Sequence, residues 1–157
     1  MTDRTPGSLW ERAAQHADRT AIVDGGQAHD YADLLDASSR VAHSLLDGRP
    51  DLDGQRVAFM VTPSFEHVAV QWGIWRAGGT AVPLCLSHPP AEVAYVLDDA
   101  APTVVVGGAA HAGPLGPLVE DRGLRWLPVD DALQGAAGPL PTVPLDRPAL
   151  MIYTSGT

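Results

Sequence analysis

Three short apolar runs, each separated from the next by a segment of helical periodicity, restrict the folds open to this chain. They cover residues 56–61, 80–84 and 103–106, and none of them alternates regularly between apolar and polar side chains. A strand with one face in water alternates, so a continuous run predicts a strand buried on both faces. Strands that alternate with helices across short connections are typical of parallel sheets. The sequence therefore predicts an α/β fold with a doubly wound, largely parallel sheet.

Helix starts are marked by their capping residues. Ser8 with Glu11, and Asp30 with Asp33, have the spacing of a capping box, in which each side chain accepts a hydrogen bond from a free backbone N–H. Further helices are predicted after Ser64 and Pro89, a weak one through 118–119, and further strands over 20–23, 124–127 and 149–153.

Two segments rich in glycine and proline, 107–117 and 134–148, are predicted to lack regular structure. We interpret residues 1–157 as one partial domain, in which 134–148 is a linker that leads to the last strand.

The charge balance excludes several classes of protein. The 157 residues include 19 acidic and 10 basic side chains, and the net charge of −9 argues against a nucleic-acid partner. No apolar run approaches the ~18 residues needed to cross a bilayer, and the first residues lack an apolar signal core. We therefore expect a cytoplasmic protein without a membrane span. All the basic residues are arginine, and the chain contains no lysine.

The cysteine, histidine and paired aspartate residues predict no catalytic or metal site. Cys85 lies in the apolar stretch 82–86 and is interpreted as a small buried residue. The six histidines never pair at metal-ligand spacing on one helix, so no metal site is predicted. The pairs Asp98-Asp99 and Asp130-Asp131 are interpreted as solvated helix ends or turns.

Loops after predicted strands are the places where a ligand is expected. In open α/β sheets, ligands bind beyond the carboxyl ends of the strands, where helix N-termini present free N–H groups. Gly107-Gly108 follows one strand but fails the spacing of a dinucleotide fingerprint, so we interpret it as a turn. Thr62-Pro63-Ser64 follows another strand and is interpreted as a helix cap.

The third loop of this kind is Thr154, Ser155, Gly156 and Thr157, which combines three hydroxyls with a glycine directly after an apolar strand. Small residues let the backbone approach a phosphate closely, and hydroxyl and N–H groups can donate to its oxygens. A run of this composition is also typical of a polar turn, so the residues alone leave both interpretations open. Tyr153, at the end of the strand, is interpreted as a packing residue.

Four stretches of sequence carry a resemblance to a known family. They are DYADLLDASSRVA (30–42), RAGGTAVPL (76–84), HPPAEVAYVLDDAAPTVVV (88–106) and MIYTSGT (151–157). In this order they resemble the N-terminal part of the adenylate-forming acyl-CoA synthetases, an AMP-binding family that also includes luciferases and the adenylation domains of peptide synthetases. HPPAEVAYVLDDAAPTVVVG and ALMIYTSGT are most similar to malonyl-CoA synthetases. Asp30 and Asp33 stand where the family usually has Thr and Glu, a change that capping tolerates.

The resemblance implies a reaction in two steps. A carboxylate attacks the α-phosphate of ATP to give an acyl-adenylate and pyrophosphate, and the thiol of coenzyme A then displaces AMP. The resemblance also implies Mg²⁺ on the phosphates, and it assigns Thr154, Ser155, Gly156 and Thr157 to the β- and γ-phosphates. In the family the adenine pocket, the ribose-binding Asp and the catalytic Lys follow this motif. We therefore expect the 157-residue chain to be inactive alone.

A function of another class also fits the sequence. The chain could be a non-catalytic α/β module that docks a complementing chain carrying the rest of the enzyme. Strand 149–153 would then present an apolar edge that the complementing chain covers.

Overall fold

Parallel strands form the sheet around which the chain is wound. The structure is a computed structural model that describes residues 8–154. Its elements are α1 (Leu9–Ala14), β1 (Thr20–Asp24), β2 (Gln27–Asp30), α2 (Tyr31–Leu46), β3 (Arg56–Met60), α3 (Phe65–Arg76), β4 (Thr80–Pro83), α4 (Pro90–Ala100), β5 (Val104–Gly107), a 3₁₀ turn (Ala109–His111), α5 (Ala112–Glu120), β6 (Arg125–Pro128) and α6 (Val129–Gln134). The main sheet has the order β4-β3-β5-β6, and all of its pairings are parallel. The predicted parallel sheet is confirmed.

Helices cover both faces of this sheet. Along β3, Val57 and Phe59 belong to the core cluster formed with α2, α3 and α6, whereas Ala58 and Met60 belong to the cluster formed with α4 and α5. Successive side chains of a strand point to opposite faces, so each cluster lies on its own side of the sheet. The doubly wound arrangement is therefore confirmed.

Both predicted capping boxes are present. The backbone N–H of Ser8 donates to Glu11 Oε2 over 2.7 Å, and that of Glu11 donates back to Ser8 Oγ. In the same way, the backbone N–H of Asp33 donates to Asp30 Oδ1 over 2.8 Å, and that of Asp30 donates to Asp33 Oδ2. Each box satisfies N–H groups that would otherwise lack a partner at the start of α1 or α2.

A strand that we did not predict, β2, forms an antiparallel hairpin with β1. The turn between them places Gly25 at φ +56° and Gly26 at φ +86°, in the left-handed region that a tight hairpin turn requires. The sequence of β2, QAHD, lacks a clear apolar alternation, so its pattern did not mark it as a strand. His29 of the hairpin stacks on Phe65 of α3, with ring centroids 4.1 Å apart.

The predicted loop over 107–117 is wrong, because α5 begins at Ala112. Pro114 lies in the first turn of this helix, where a backbone N–H has no partner within the helix. Burial of Leu115 and Val119 against the sheet stabilises the helix although Pro117 interrupts its hydrogen bonds.

The region after β6 also differs from the prediction. An unpredicted helix, α6, follows β6 directly and buries Val129 and Ala132, whose contacts with the core favour helix over turn. Residues 135–148 form no helix or strand, and their role as a linker stays a prediction. No helix in the described part of the chain combines the length and the apolar character needed to cross a membrane.

Helices α2 and α3 approach each other closely at Gly73. A Cβ built on Gly73 would lie 2.6 Å from Val41 Cβ and 3.1 Å from the carbonyl oxygen of Ser38. Val41 and Ser38 have no exposed surface, so neither has free space into which to move. Arg76 reinforces the contact, since its Nη1 donates to Leu35 O over 2.6 Å and to Ser38 Oγ over 2.7 Å.

We predict that Gly73→Ala destabilises the protein by about 1–3 kcal/mol, because overpacking outweighs the gain of about 1 kcal/mol in helix propensity. Gly116→Ala is the matched control, since Gly116 also lies inside a helix and a Cβ there meets no described atom within 4 Å. The control should be as stable as wild type or more so. Urea unfolding measures both effects, and equal midpoints for Gly73→Ala and wild type would contradict the prediction.

Candidate functional site

The last described residues run beside the edge strand of the sheet. The backbone N–H of Ala81 donates to Ala149 O, the N–H of Met151 donates to Ala81 O, and both bonds are 2.9 Å long. They form one parallel bridge between Ala81 and Leu150. Because this segment runs in the direction of β4, it leads Thr154 toward the edge at which the other strands end.

The predicted strand over 149–153 is wrong, since the single bridge at Leu150 is its only strand pairing among the described residues. The segment also exposes apolar side chains. Leu150 is 40% exposed and Ile152 is 63% exposed. Leu150 and Ile152 alternate with Met151 and Tyr153, which pack against the core, so the two exposed side chains lie on the opposite face of the segment.

Of the four candidate phosphate-binding residues, one lies within the described residues and three lie outside them. Thr154 is exposed at the end of the segment. Ser155, Gly156 and Thr157 lie outside the described residues. Their assignment to a phosphate therefore stays a prediction.

Tyr153 fastens the segment to α4. Its hydroxyl donates to Asp99 Oδ2 over 2.5 Å, and its ring meets the ring of Tyr95 edge-on, with centroids 6.4 Å apart. Burial, followed by the hydrogen bond to Asp99, raises the pKa of Tyr153 to about 12. Tyr153 thus packs against the body of the protein, as predicted.

Arg147 fastens the same segment from the other end. Its Nη1 donates to both carboxylate oxygens of Asp51, over 2.6 and 2.8 Å, and to Gly78 O over 3.3 Å. Burial alone would raise the pKa of Asp51, but hydrogen bonds from Arg147 and from the backbone of Asp53 hold it below its usual value. These bonds tie the irregular segment to the loops that precede β3 and β4.

The cap interpretation of Thr62-Pro63-Ser64 is confirmed. Ser64 Oγ accepts a hydrogen bond from the backbone N–H of His67 over 3.3 Å, and Asp24 Oδ2 accepts one from Phe65 over 3.0 Å. The start of α3 is therefore occupied by acceptors of the chain itself.

Gly107 is explained by packing. It is the last residue of β5, and a Cβ there would overlap the ring of Trp126 on β6. Gly108 lies between this strand and the 3₁₀ turn, and its backbone N–H donates to Met60 O over 3.1 Å. The interpretation of this pair as a turn is wrong for Gly107, because the strand continues to this residue.

The prediction that Cys85 is buried is wrong. The thiol is exposed just beyond β4, because the apolar stretch continues past the point at which the chain leaves the sheet. Its Sγ lies 3.2 Å from Ser87 Oγ. This hydroxyl and the backbone N–H groups of Ser87 and His88 lower the pKa of the thiol, since they stabilise the thiolate.

The structure also shows where the acidic pairs and one of the histidines lie. Asp98 is exposed and bonds Arg122, with 2.7 Å between Oδ1 and Nε, whereas Asp130 and Asp131 lie in the first turn of α6. His67 Nδ1 lies 2.8 Å from Val61 O. Among residues 8–154, no three His, Cys, Asp or Glu side chains come together in a way that could hold a metal ion.

Comparison with known proteins assigns the chain to a family. Residues 9–157 match the AMP-binding enzyme family. The chain belongs to this family. It is 36% identical to the mitochondrial malonate–CoA ligase ACSF3 of Mus musculus, over 98% of this chain and 28% of the relative.

Solved structures of this AMP-binding family show the same fold. Apo MatB from Rhodopseudomonas palustris has a TM-score of 0.81 at 26% identity, over 95% of this chain and 32% of MatB. The ATP-bound form of MatB has a TM-score of 0.78 at 28% identity, over 94% of this chain and 32% of MatB. The chain thus spans about 28–32% of the length of these relatives.

The sequence did not predict that Asp99 and Arg147 hold the segment beside β4 in place. Asp99 was interpreted as a solvated helix end, and Arg147 received no role. Asp51 is 96 residues from Arg147 and Asp99 is 54 residues from Tyr153, so no local spacing could have paired them.

We predict that Cys85 reacts with iodoacetamide in the native protein, and that its rate rises with pH at a lower midpoint than that of an ordinary thiol. The lowered pKa makes the thiolate available at lower pH, so Ser87→Ala should move the midpoint upward. Ser64→Ala serves as the control, because the Ser64 hydroxyl caps α3 and accepts its hydrogen bond from His67. Equal midpoints in wild type and Ser87→Ala would exclude the role of the Ser87 hydroxyl.

We also predict that Arg147→Met loosens the segment beside β4, so that the backbone N–H of Met151 exchanges with solvent severalfold faster. The pKa of Asp51 is lowered in the folded protein, so the pair stabilises at pH above the ordinary carboxylate pKa. Its contribution is lost as the pH falls through the lowered pKa. Arg122→Met is the matched control, because Arg122 pairs bidentately with Asp98 and its described hydrogen bonds reach no residue of the range 147–154. The same exchange rate in both variants would contradict the prediction.

Proposed function

We propose that the chain is the N-terminal portion of an ATP-dependent, AMP-forming carboxylate–CoA ligase. The observation that carries the proposal is the match to the AMP-binding enzyme family over residues 9–157, a range that includes Thr154, Ser155, Gly156 and Thr157. The approach of Thr154 to the carboxyl edge of a parallel sheet supports it, since ligands bind at this edge in α/β folds.

The proposed reaction joins a carboxylate to coenzyme A in two steps. A carboxylate oxygen attacks the α-phosphorus of ATP and pyrophosphate leaves, which gives an acyl-adenylate. The thiol of coenzyme A, after losing its proton, then attacks the acyl carbon and AMP leaves. ATP supplies the leaving group that activates the acid, and Mg²⁺ supplies neutralising charge on the phosphates.

The contribution of this chain is to bind the leaving phosphates. Hydroxyls of Thr154, Ser155 and Thr157, with the backbone N–H groups around Gly156, are donors of the type that phosphate oxygens accept. These residues fit a polyphosphate because the segment carries no acidic side chain that would repel it. We assign no Mg²⁺ ligand and no catalytic lysine to the chain, which contains no lysine at all. The isolated chain is therefore proposed to be inactive.

Malonate is the proposed acid. The 36% identity to the malonate–CoA ligase of Mus musculus supports this choice. The cytoplasmic location expected from the sequence stays a prediction, and the mouse relative is named mitochondrial.

A second candidate function is a docking module for a complementing chain. The observation that favours it is the exposed apolar surface along the last described residues, where Leu145 is 67% exposed and Leu150 and Ile152 also face solvent. Apolar surface of this kind is typical of an interface. Size-exclusion chromatography separates the two candidates, because a stable monomer without self-association argues against an edge that requires a partner.

The reaction is tested with a fusion in which the 157-residue chain replaces the corresponding N-terminal part of R. palustris MatB. We expect the fusion to form malonyl-CoA from malonate, ATP and coenzyme A in the presence of Mg²⁺. The 157-residue chain alone should release no pyrophosphate above background under the same conditions.

Acetate, a longer fatty acid and an amino acid serve as control substrates. A folded fusion that activates one of these but not malonate would overturn the choice of acid and leave the ligase intact. A folded fusion that activates no carboxylate would overturn the ligase. Turnover by the isolated chain would overturn its proposed inactivity.

A further inference from the structure

Tyr153, the residue before the proposed phosphate loop, contacts α4. The proposed ligase reaction gives this helix no role. The hydroxyl of Tyr153 and the carboxylate of Asp99 are 2.5 Å apart, which is the distance of a strong O–H···O⁻ hydrogen bond. Asp99 lies in the last turn of α4, and Tyr153 directly precedes Thr154.

The ring of Tyr153 adds a second contact with the same helix. It packs partly buried against the core cluster that contains Val96 and Leu97, and Tyr95 meets it edge-on at 87°. Tyr95 is 64% exposed, and its hydroxyl makes no hydrogen bond to a residue in the range 8–154. The contact is therefore specific to the hydroxyl of Tyr153 and to the acceptor on Asp99.

The residues around Tyr153 have little else to hold them. Ile152 and Thr154 are exposed, and the two backbone bonds to β4 end at Met151. Exposure alternates from Met151 to Thr154, as in an extended chain with one side on the protein. Tyr153 is thus the last described point at which the chain is attached before the proposed loop.

We propose that Asp99 and Tyr153 are a positioning pair, which sets where the Thr154–Thr157 segment leaves the sheet edge and so determines the affinity of the enzyme for ATP. This inference rests on the proposed function. Neither residue touches the reacting atoms. The pair acts on ATP through the loop, and it makes no contact that would select the carboxylic acid.

The fusion with MatB provides the first test. Tyr153→Phe removes one oxygen and keeps the ring, so the KM for ATP should rise about tenfold while the KM for malonate stays unchanged. Asp99→Ala should have the same effect, and Asp99→Asn, which keeps an acceptor oxygen, should recover most of the loss. A merely structural role would reduce the folded fraction, and so lower kcat with both KM values unchanged.

Two matched controls accompany these variants. Tyr95→Phe removes the same atom from the neighbouring ring, and Asp98→Asn removes the neighbouring carboxylate of the same helix. Both should keep the wild-type KM for ATP. A rise in either that equals the rise in Tyr153→Phe would overturn the specificity of the pair.

The second test uses the 157-residue chain itself and requires no activity. In Tyr153→Phe, the backbone order parameter of Thr154 should fall below about 0.6, whereas that of Met151 should remain near the rigid value of about 0.85. An unchanged order parameter at Thr154 would overturn the positioning role.

The two proposals fail in different ways. A folded but inactive wild-type fusion overturns the proposed function. An active wild-type fusion whose KM for ATP is unaffected by Tyr153→Phe overturns the positioning pair alone.

Discussion

The burial of β3 on both faces is the constraint from which the rest of the structure follows. This strand pairs with β4 on one side and β5 on the other, so its backbone polar groups are bonded within the sheet and none requires water. Val57, Ala58 and Phe59 are at most 1% exposed, although they point alternately to opposite faces. A strand in this position has to be apolar throughout, and helices have to cover both sides of it. Helical crossovers then return the chain to the same end each time, which makes the sheet parallel.

The parallel direction also decides which loops can meet a ligand. All strand ends in such a sheet lie at one edge, so loops there compete as candidate sites. Contacts within the described chain account for two of them, because Ser64 and Asp24 occupy the start of α3 and Trp126 covers Gly107. Thr154 is different, since it is exposed and leads into the residues proposed to bind phosphate. Of the three loops singled out in the sequence, the loop that begins at Thr154 is thus the one for which the described residues show no such contact.

Local chemistry could be predicted from the sequence, and long-range contacts could not. The capping box of Asp30 and Asp33 depends on residues three apart, so its spacing alone revealed it. In contrast, α5 forms because distant residues bury Leu115, and glycine and proline near it pointed to a loop. Cys85 was predicted to be buried because the apolar residues around it extend beyond the end of β4. Asp99 could not be paired with Tyr153, because only the folded chain brings them together.

The segment beside β4 shows why side chains are needed to place the proposed loop. Its two backbone hydrogen bonds each contribute about 0.5–1.5 kcal/mol net, whereas ordering each residue costs about 1–2 kcal/mol. The bridge at Leu150 therefore cannot hold residues 147–154 in place by itself. Trp75 Nε1 adds a 2.6 Å bond to Ala149 O, Arg147 binds Asp51 at one end, and Tyr153 binds α4 at the other. These contacts all come from residues within the described chain. The described residues consequently attach the chain on both sides of the bridge at Leu150, up to the point where the proposed loop begins.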